Sequence, residues 1–213
     1  MNESILAKLR PWQREPAEHL FRVLQQYDSA VDCSDTGVGK TYVAVAVASA
    51  MKLPTLVVVP KISVTNWHRV AEYFNDKFSV IGYEKLRTGT TDFGSWENQR
   101  LLVGGRPAFH ICQCCQQRVD IASPGPCYTH AFGIHCIEEK KAKIKYGRFS
   151  FPPEVKFIVW DEAHRLGGMN SRNADMSIAA TRQKIKQLFL SATLATDPMK
   201  FRALGYALGL HSL

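Results

Sequence analysis

No stretch of this sequence is long and apolar enough to cross a membrane as a helix. Runs such as TLVVV and KFIVW are strand-length, far short of the roughly 20 residues that a span requires. The opening MNESILAKLRPWQ scatters its charges and has no continuous apolar stretch, so it does not read as a signal peptide. These two absences set the expectation of an intracellular protein, cytoplasmic or nucleoid-associated, with no membrane partner. Internal repeats and low-complexity linkers are missing as well, which argues against a solenoid or a disordered tether. Cysteine is scarce outside one short region: of six, five fall between Cys112 and Cys136. A secreted disulfide framework spreads its cysteines through the chain, so this clustering points to a metal instead. Acidic residues are in deficit, 19 Asp+Glu against 27 Lys+Arg, for a formal charge of +8. That excess favours a polyanionic partner through phosphate neutralisation and counterion release.

What is present fits one folded domain. At 213 residues, 46% hydrophobic and 22% charged, the chain can form one α/β domain with a full core and carry one small insertion. Periodicity predicts an amphipathic helix over Trp12 to Gln26, a short strand around Ser29 to Cys33, a glycine loop, and a helix through GKTYVAVAVASAM. A buried strand over Thr55 to Val59 ends at Pro60. The next helix places Val64, Trp67, Val70, Ala71 and Phe74 on one face, and a strand over Phe78 to Gly82 follows. This alternation is the pattern of a parallel sheet with helices on both faces. It breaks from Gly104 to Ser150, where Pro, Gly, Cys, His and Lys replace the apolar rhythm. It resumes with VKFIVWDEAH, a helix near Ala174 to Lys184, a strand in KQLFLSAT, and a surface helix opened by the proline of DPMKFRALGYALGL. The expected organisation is residues 1–103 as the first part of the domain, 104–150 as a basic insertion, and 151–213 as the remainder.

Two segments carry the chemistry. In CSDTGVGKTY, Gly37 and Gly39 allow backbone N–H groups to turn inward around a phosphate, where a side chain would collide or φ must be positive. Thr36 and Val38 complete the loop, Lys40 can reach the β and γ phosphates, and Thr41 can place its hydroxyl on Mg2+. Ser34 stands where the standard spacing has its first glycine. In FIVWDEAH an apolar strand ends in two acids, so Asp161 projects from the carboxyl end of the sheet, where α/β folds bind ligands. There it can hold the magnesium, usually through water, while Glu162 is positioned to polarise the attacking water. Taken alone, DEAH also fits a helix N-terminus with a capping acid.

Together these segments resemble the first motor domain of a superfamily 2 helicase, of the DEAH-box and Swi/Snf-type translocase branch. LRPWQ, Leu9 to Gln13, is similar to the element in which a glutamine reads adenine, so the resemblance gives Gln13 that role. DTGVGKT matches motif I, DEAHRL motif II and LSATL motif III, while VVVPKISVTNW and IGYEKL resemble motif Ia and the tyrosine-glutamate segment after it. The resemblance implies a RecA-like P-loop fold, ATP hydrolysis coupled to movement on nucleic acid, and DNA as the track. It also implies that Ser191 and Thr193 link the phosphate site to that track. Trp12 replaces the commoner tyrosine or histidine; the expectation is a core aromatic, with a base contact as the alternative. Motors of this class work between two such domains, the second supplying arginine fingers. Only twenty residues follow Thr193, so a second RecA-like domain is expected in cis or in trans.

Within the insertion, Cys112 and Cys115 have knuckle spacing, and Cys127 and His130 repeat it after eleven intervening residues. Four such ligands suit a closed, structural, tetrahedral Zn2+. Cys136 competes with His130 for the fourth place, and free thiols acting as small apolar residues are the alternative to zinc. Lys140, Lys141, Lys143, Lys145 and Arg148 follow, as a phosphate track or as a solvated face. Cys33, apart from the cluster, is expected as buried packing. The leading expectation is an ATP-binding, DNA-engaging motor domain. The alternative is a nucleic-acid-binding or regulatory module with this fold and little ATP turnover.

Overall fold

In the computed structural model, residues 1–97, 109–119, 137–140, 148–168, 171–193 and 198–212 are described. They divide between two compact units, residues 1–97 with 148–213, and residues 98–147.

The first unit opens with helices α1 (Glu3–Leu6) and α2 (Pro11–Gln26), strand β1 (Ser29–Asp32) and helix α3 (Lys40–Met51). Strand β2 (Thr55–Val59) and a 3-10 turn (Lys61–Ser63) lead into α4 (Val64–Tyr73), β3 (Ser79–Gly82) and α5 (Tyr83–Leu86). A small hairpin of β4 (Thr90–Thr91) and β5 (Gly94–Trp96) follows. The second unit contributes β6 (Phe109–Cys112), β7 (Arg118–Val119) and β8 (Ile137–Lys140), an antiparallel sheet with β6 in the middle. Back in the first unit, β9 (Phe149–Ser150) pairs with β5, and then come β10 (Phe157–Asp161), α6 (Arg172–Arg182), β11 (Lys186–Leu190) and α7 (Arg202–Ala207).

Five strands form the main sheet in the order β1-β11-β10-β2-β3, every pairing parallel. The strands read as unbroken apolar runs because both faces are covered. Successive side chains alternate between layers: Val57, Val59, Val159 and Leu190 pack with Leu20, Leu24, Val43 and Trp67 of α2, α3 and α4. Leu56, Val58, Ile158 and Trp160 pack with Met176, Ala180 and Leu204 of α6 and α7. Full burial of one such aliphatic or aromatic side chain stabilises the fold by about 1.5–3 kcal/mol. Helix α3 is buried from Val43 through Ala48 without a break. Its run of alanine and valine lets helix α2 approach it closely.

The strands and the long helices lie within one or two residues of their expected bounds. Two side chains are placed differently from expectation. Trp12 is 65% exposed, because α2 turns Gln13, Ala17, Leu20 and Leu24 inward and its neighbour in sequence sits about 100° round the helix. Cys33 is also exposed, since β1 ends at Asp32 and residue 33 already belongs to the loop.

Candidate nucleotide site

Strand β1 delivers the chain to the carboxyl edge of the sheet at Asp32, whose Oδ1 accepts the N–H of Ser34 at 2.9 Å and starts the loop. Gly37 and Gly39 both take positive φ, 83° and 91°, the conformation that only glycine adopts without cost. Gly39 is the N-cap of α3 and no side chain caps that helix. Its first-turn amides are thereby left for an anion, with the helix dipole adding to the attraction. The Lys40 ammonium lies across the loop, donating to the carbonyl oxygens of Ser34 at 2.7 Å and Asp35 at 2.8 Å. Thr36 and Val38 are exposed on the loop, and Thr41 is half-buried in the first turn of α3.

Gln13 braces this loop from α2. Its Nε2 donates to the Val38 carbonyl at 3.1 Å, and its Oε1 accepts the Arg10 N–H at 3.0 Å as part of a capping box. One amide hydrogen and one lone pair of Gln13 remain after these bonds. A Cβ on Gly39 would collide with Gln13 Nε2, so a side chain there would have to push the Gln13 amide off the Val38 carbonyl.

The acids reach the same edge. Strand β11 lies between β1 and β10, with Leu190 in register with Asp32 on one side and Asp161 on the other. Strand spacing of about 4.8 Å puts the two strand ends roughly 10 Å apart. The Ser191 N–H donates to the Asp32 carbonyl at 3.1 Å, which ties the segment after β11 to the start of the phosphate loop. Asp161 is held on three sides: Oδ2 accepts the Trp67 indole N–H at 2.8 Å, Oδ1 accepts the Glu162 N–H at 3.1 Å, and its main-chain carbonyl accepts the Tyr83 hydroxyl at 2.8 Å. Burial raises its pKa above the ordinary carboxylate value. The Trp67 bond and the positive charge of Lys40 oppose that rise, while the neighbouring Glu162 adds to it. Burial, with the Asp161 charge beside it, also holds the Tyr83 phenol well above its usual range, so it remains a donor.

Glu162 sits in the left-handed region at φ 53° and opens a 3-10 turn, Ala163–Leu166, so the carboxylate after the strand is turned away from the sheet direction. This conformation is uncommon for a side chain of its size and collects at functional sites. His164 Nδ1 lies 3.2 Å from Glu162 Oε2 and 3.3 Å from Ser191 Oγ, and the Ser191 hydroxyl donates to the Thr193 carbonyl at 2.6 Å. The DEAH and SAT segments are thus in direct contact. Arg165 pairs with Glu84 at 3.4 Å across the surface. Beside Glu84, Lys61 and Lys85 line a cavity of about 610 Å3 together with Thr90 and Asp92.

In the second unit, Cys112 ends β6 and is buried, and Cys115 follows in the turn toward β7. The turn is closed by the Cys112 N–H on the Gln117 carbonyl at 2.9 Å and the Gln116 N–H on the Cys112 carbonyl at 2.8 Å. Cys127, His130 and Cys136 lie outside the described residues, as do Lys141, Lys143 and Lys145. Among the described residues no group of three or more His, Cys, Asp or Glu is placed to hold a metal ion. No helix among them is long and apolar enough to cross a membrane.

Sequence reasoning put Trp67 on the apolar face of its helix and did not place it at the site. It is both: the ring is buried at 1% exposure and the N–H finds the carboxylate. The available signal was chemical, since a buried indole or phenol needs a partner for its polar atom.

The family described as type III restriction enzyme, res subunit, matches residues 6–196. A protein of Acanthamoeba polyphaga mimivirus, provisionally named an ATP-dependent RNA helicase, is 28% identical over 192 residues; the match covers 88% of this chain and 31% of that protein. The chain therefore spans about a third of that relative's length. Among solved structures, the Sulfolobus solfataricus SWI2/SNF2 ATPase core in complex with dsDNA aligns over 87% of this chain and 32% of its own, with a TM-score of 0.48 and 15% identity. With a family match over most of its length, motifs I, II and III on one sheet edge and a parallel α/β core, the chain belongs to the type III restriction enzyme res-subunit family and is a superfamily 2 helicase motor domain.

Proposed function

We propose that this domain binds Mg2+·ATP at the edge formed by the phosphate loop, the DEAH turn and the SAT segment. Its hydrolysis, when paired with a second RecA-like domain, drives movement on nucleic acid. The observation that carries this reading is the convergence of Lys40, Asp161 and Ser191 through three adjacent parallel strands.

The donor set fits the group: amides of an uncapped helix and an ammonium for the phosphates, a hydroxyl and a carboxylate for the ion. Lys40 would exchange the carbonyls of Ser34 and Asp35 for phosphate oxygens, and Thr41 and Asp161 would hold the magnesium, which would supply charge neutralisation on the phosphates. Glu162 accepts a proton from the attacking water, and His164 Nδ1 stands between its carboxylate and the Ser191 hydroxyl. Gln13 fixes the loop at Val38 and keeps one donor and one acceptor for the adenine edge. Exposed Trp12, one residue before it, is available to stack on the base. Thr36, Gly37, Val38 and Gly39 supply the backbone of the cradle.

Lys61 and Lys85 give a basic rim for the track, which we take as DNA from the motif Ia resemblance; the mimivirus relative's name makes RNA the comparison to run. In the second unit, the closed turn at Cys112 and Cys115 presents two thiols at zinc-knuckle spacing, and we propose that Cys127 with His130 or Cys136 completes a structural Zn2+ site.

Nucleotide titration of the wild-type chain and of Lys40→Ala tests the ATP reading: equal affinities sink it. ATP turnover measured alone, with DNA and with RNA tests the track, and failure of both polymers to stimulate turnover or to bind removes it. Metal analysis of chelator-free protein tests zinc, with one equivalent expected and none overturning it.

A further inference from the structure

Asp161 is 94 residues from Trp67 in sequence, yet the indole N–H of Trp67 donates to its Oδ2 at 2.8 Å. Trp67 itself has no freedom: it is buried at 1% exposure among the side chains of α3 and β2. The helix that carries it, α4, starts directly after the 3-10 turn at Lys61–Ser63. On the other side, the Glu162 N–H occupies Oδ1, and the Tyr83 hydroxyl holds the Asp161 main-chain carbonyl. Tyr83 is buried and stacks against Trp160, with ring centroids 6.1 Å apart. The carboxylate at the end of β10 is thus fixed by one bond on each oxygen and by a third on its backbone. One or more lone pairs on each oxygen remain for a cation.

We infer that Trp67 is a positioning residue for the metal: its indole N–H holds the Asp161 carboxylate in the orientation that receives magnesium, and without that bond the carboxylate turns. The inference rests on the nucleotide site proposed above, and it assigns to a motif Ia tryptophan a task at the other motif. Hydrogen bonds to charged groups are the stronger kind, and a rigid buried donor loses no rotamer freedom in making one. Preorganisation of a ligand in this way raises metal affinity without adding a ligand. Buried at 1% exposure with its N–H on Asp161, the side chain acts through that carboxylate, so its effect is confined to the metal-dependent part of binding.

The test compares ATP affinity with saturating Mg2+ and with EDTA for the wild-type chain and for Trp67→Phe, which keeps an aromatic ring and removes the donor. The expected result is an unchanged affinity in EDTA and a gain from Mg2+ reduced about tenfold or more. A gain equal to wild type overturns the inference, and so does an equal loss in both conditions, which is the signature of a merely structural role. Wild-type protein that binds no ATP in either condition counts against the nucleotide site itself, a separate outcome. Should the Phe variant fail to fold, the wild-type chain answers through the indole N–H resonance of Trp67. Adding Mg2+ to the ATP-bound protein shifts that resonance beyond the shift that ATP in EDTA produces, because the ion draws charge from its acceptor Oδ2. No added shift on Mg2+, with ATP bound, overturns the inference.

Discussion

Gln13 fills the space that a side chain on residue 39 would need, its Nε2 lying against the position of a Cβ on Gly39 while donating to the Val38 carbonyl. Gly39 is therefore constrained twice, by a φ of 91° and by its neighbour; Gly37, at φ 83°, has open space where a Cβ would sit. Gly37→Ala should cost about 1–2 kcal/mol through its backbone alone, and Gly39→Ala more. Adding Gln13→Ala to Gly39→Ala should recover part of the difference, a coupling that urea unfolding of the four proteins would show. Strict additivity would mean that the brace does not act on residue 39.

Lys40→Ala should weaken nucleotide binding by about 10- to 100-fold, the value of charged hydrogen bonds to phosphate. The folded chain should tolerate it well, because the two bonds it deletes end on exposed loop carbonyls. Thermal unfolding beside a fluorescent-nucleotide titration separates the two effects.

The carboxyl of Asp161 is raised above its ordinary value chiefly by burial. An acid whose folded-state pKa is raised favours folding below its unfolded value, and that contribution is lost as pH rises through the folded value. Asp161→Asn removes that burial penalty and should therefore raise Tm at pH 7 in EDTA, while its single amide oxygen serves either the Trp67 indole or the Glu162 N–H and the gain from Mg2+ is lost. The difference in Tm should shrink as pH falls toward 4. Melting curves across that range, with an unchanged or widening difference at acid pH, would refute the assignment of burial as the cause.

On the far side of the sheet, Gln187 is fully buried and serves three partners. Its Oε1 accepts from Trp160 Nε1 at 2.9 Å and Ser177 Oγ at 3.3 Å, and its Nε2 donates to Thr181 Oγ1 at 2.9 Å. Gln187→Leu strands these groups and should cost about 1–3 kcal/mol for each that finds no new partner. Denaturant midpoints will show it. Nucleotide affinity in the folded variant should be near wild type, since this network packs β10 and β11 from the face opposite α4.

Much of this fold was legible from periodicity and turn chemistry alone. Thr55 to Val59 is apolar throughout because both of its faces are covered, and Gly37 and Gly39 are where positive φ is needed. The phosphate loop and the acids were recognisable because each depends on a local pattern. Trp12 was not placed correctly, for it sits at the edge of a helical stripe, where a shift of one residue separates core from solvent. Trp67 and Asp161 meet through a strand order that no local pattern encodes: β10 pairs with β2, whose following helix supplies the indole. Cys127, His130 and Cys136 lie outside the described residues, so the insertion adds no ligand geometry beyond Cys112 and Cys115.

The position of β11 bears on how the molecule assembles. The strand at the heart of the nucleotide edge is the last of the five to be synthesised, and it must insert between β1, made some 150 residues earlier, and β10. Until it does, the phosphate loop and the DEAH turn hang from strands with no hydrogen-bonded bridge between them. Pairings of such long sequence separation close slowly. Nucleotide-binding competence should then emerge as one late event in refolding, at the same moment as the protection of the β11 amides and not before.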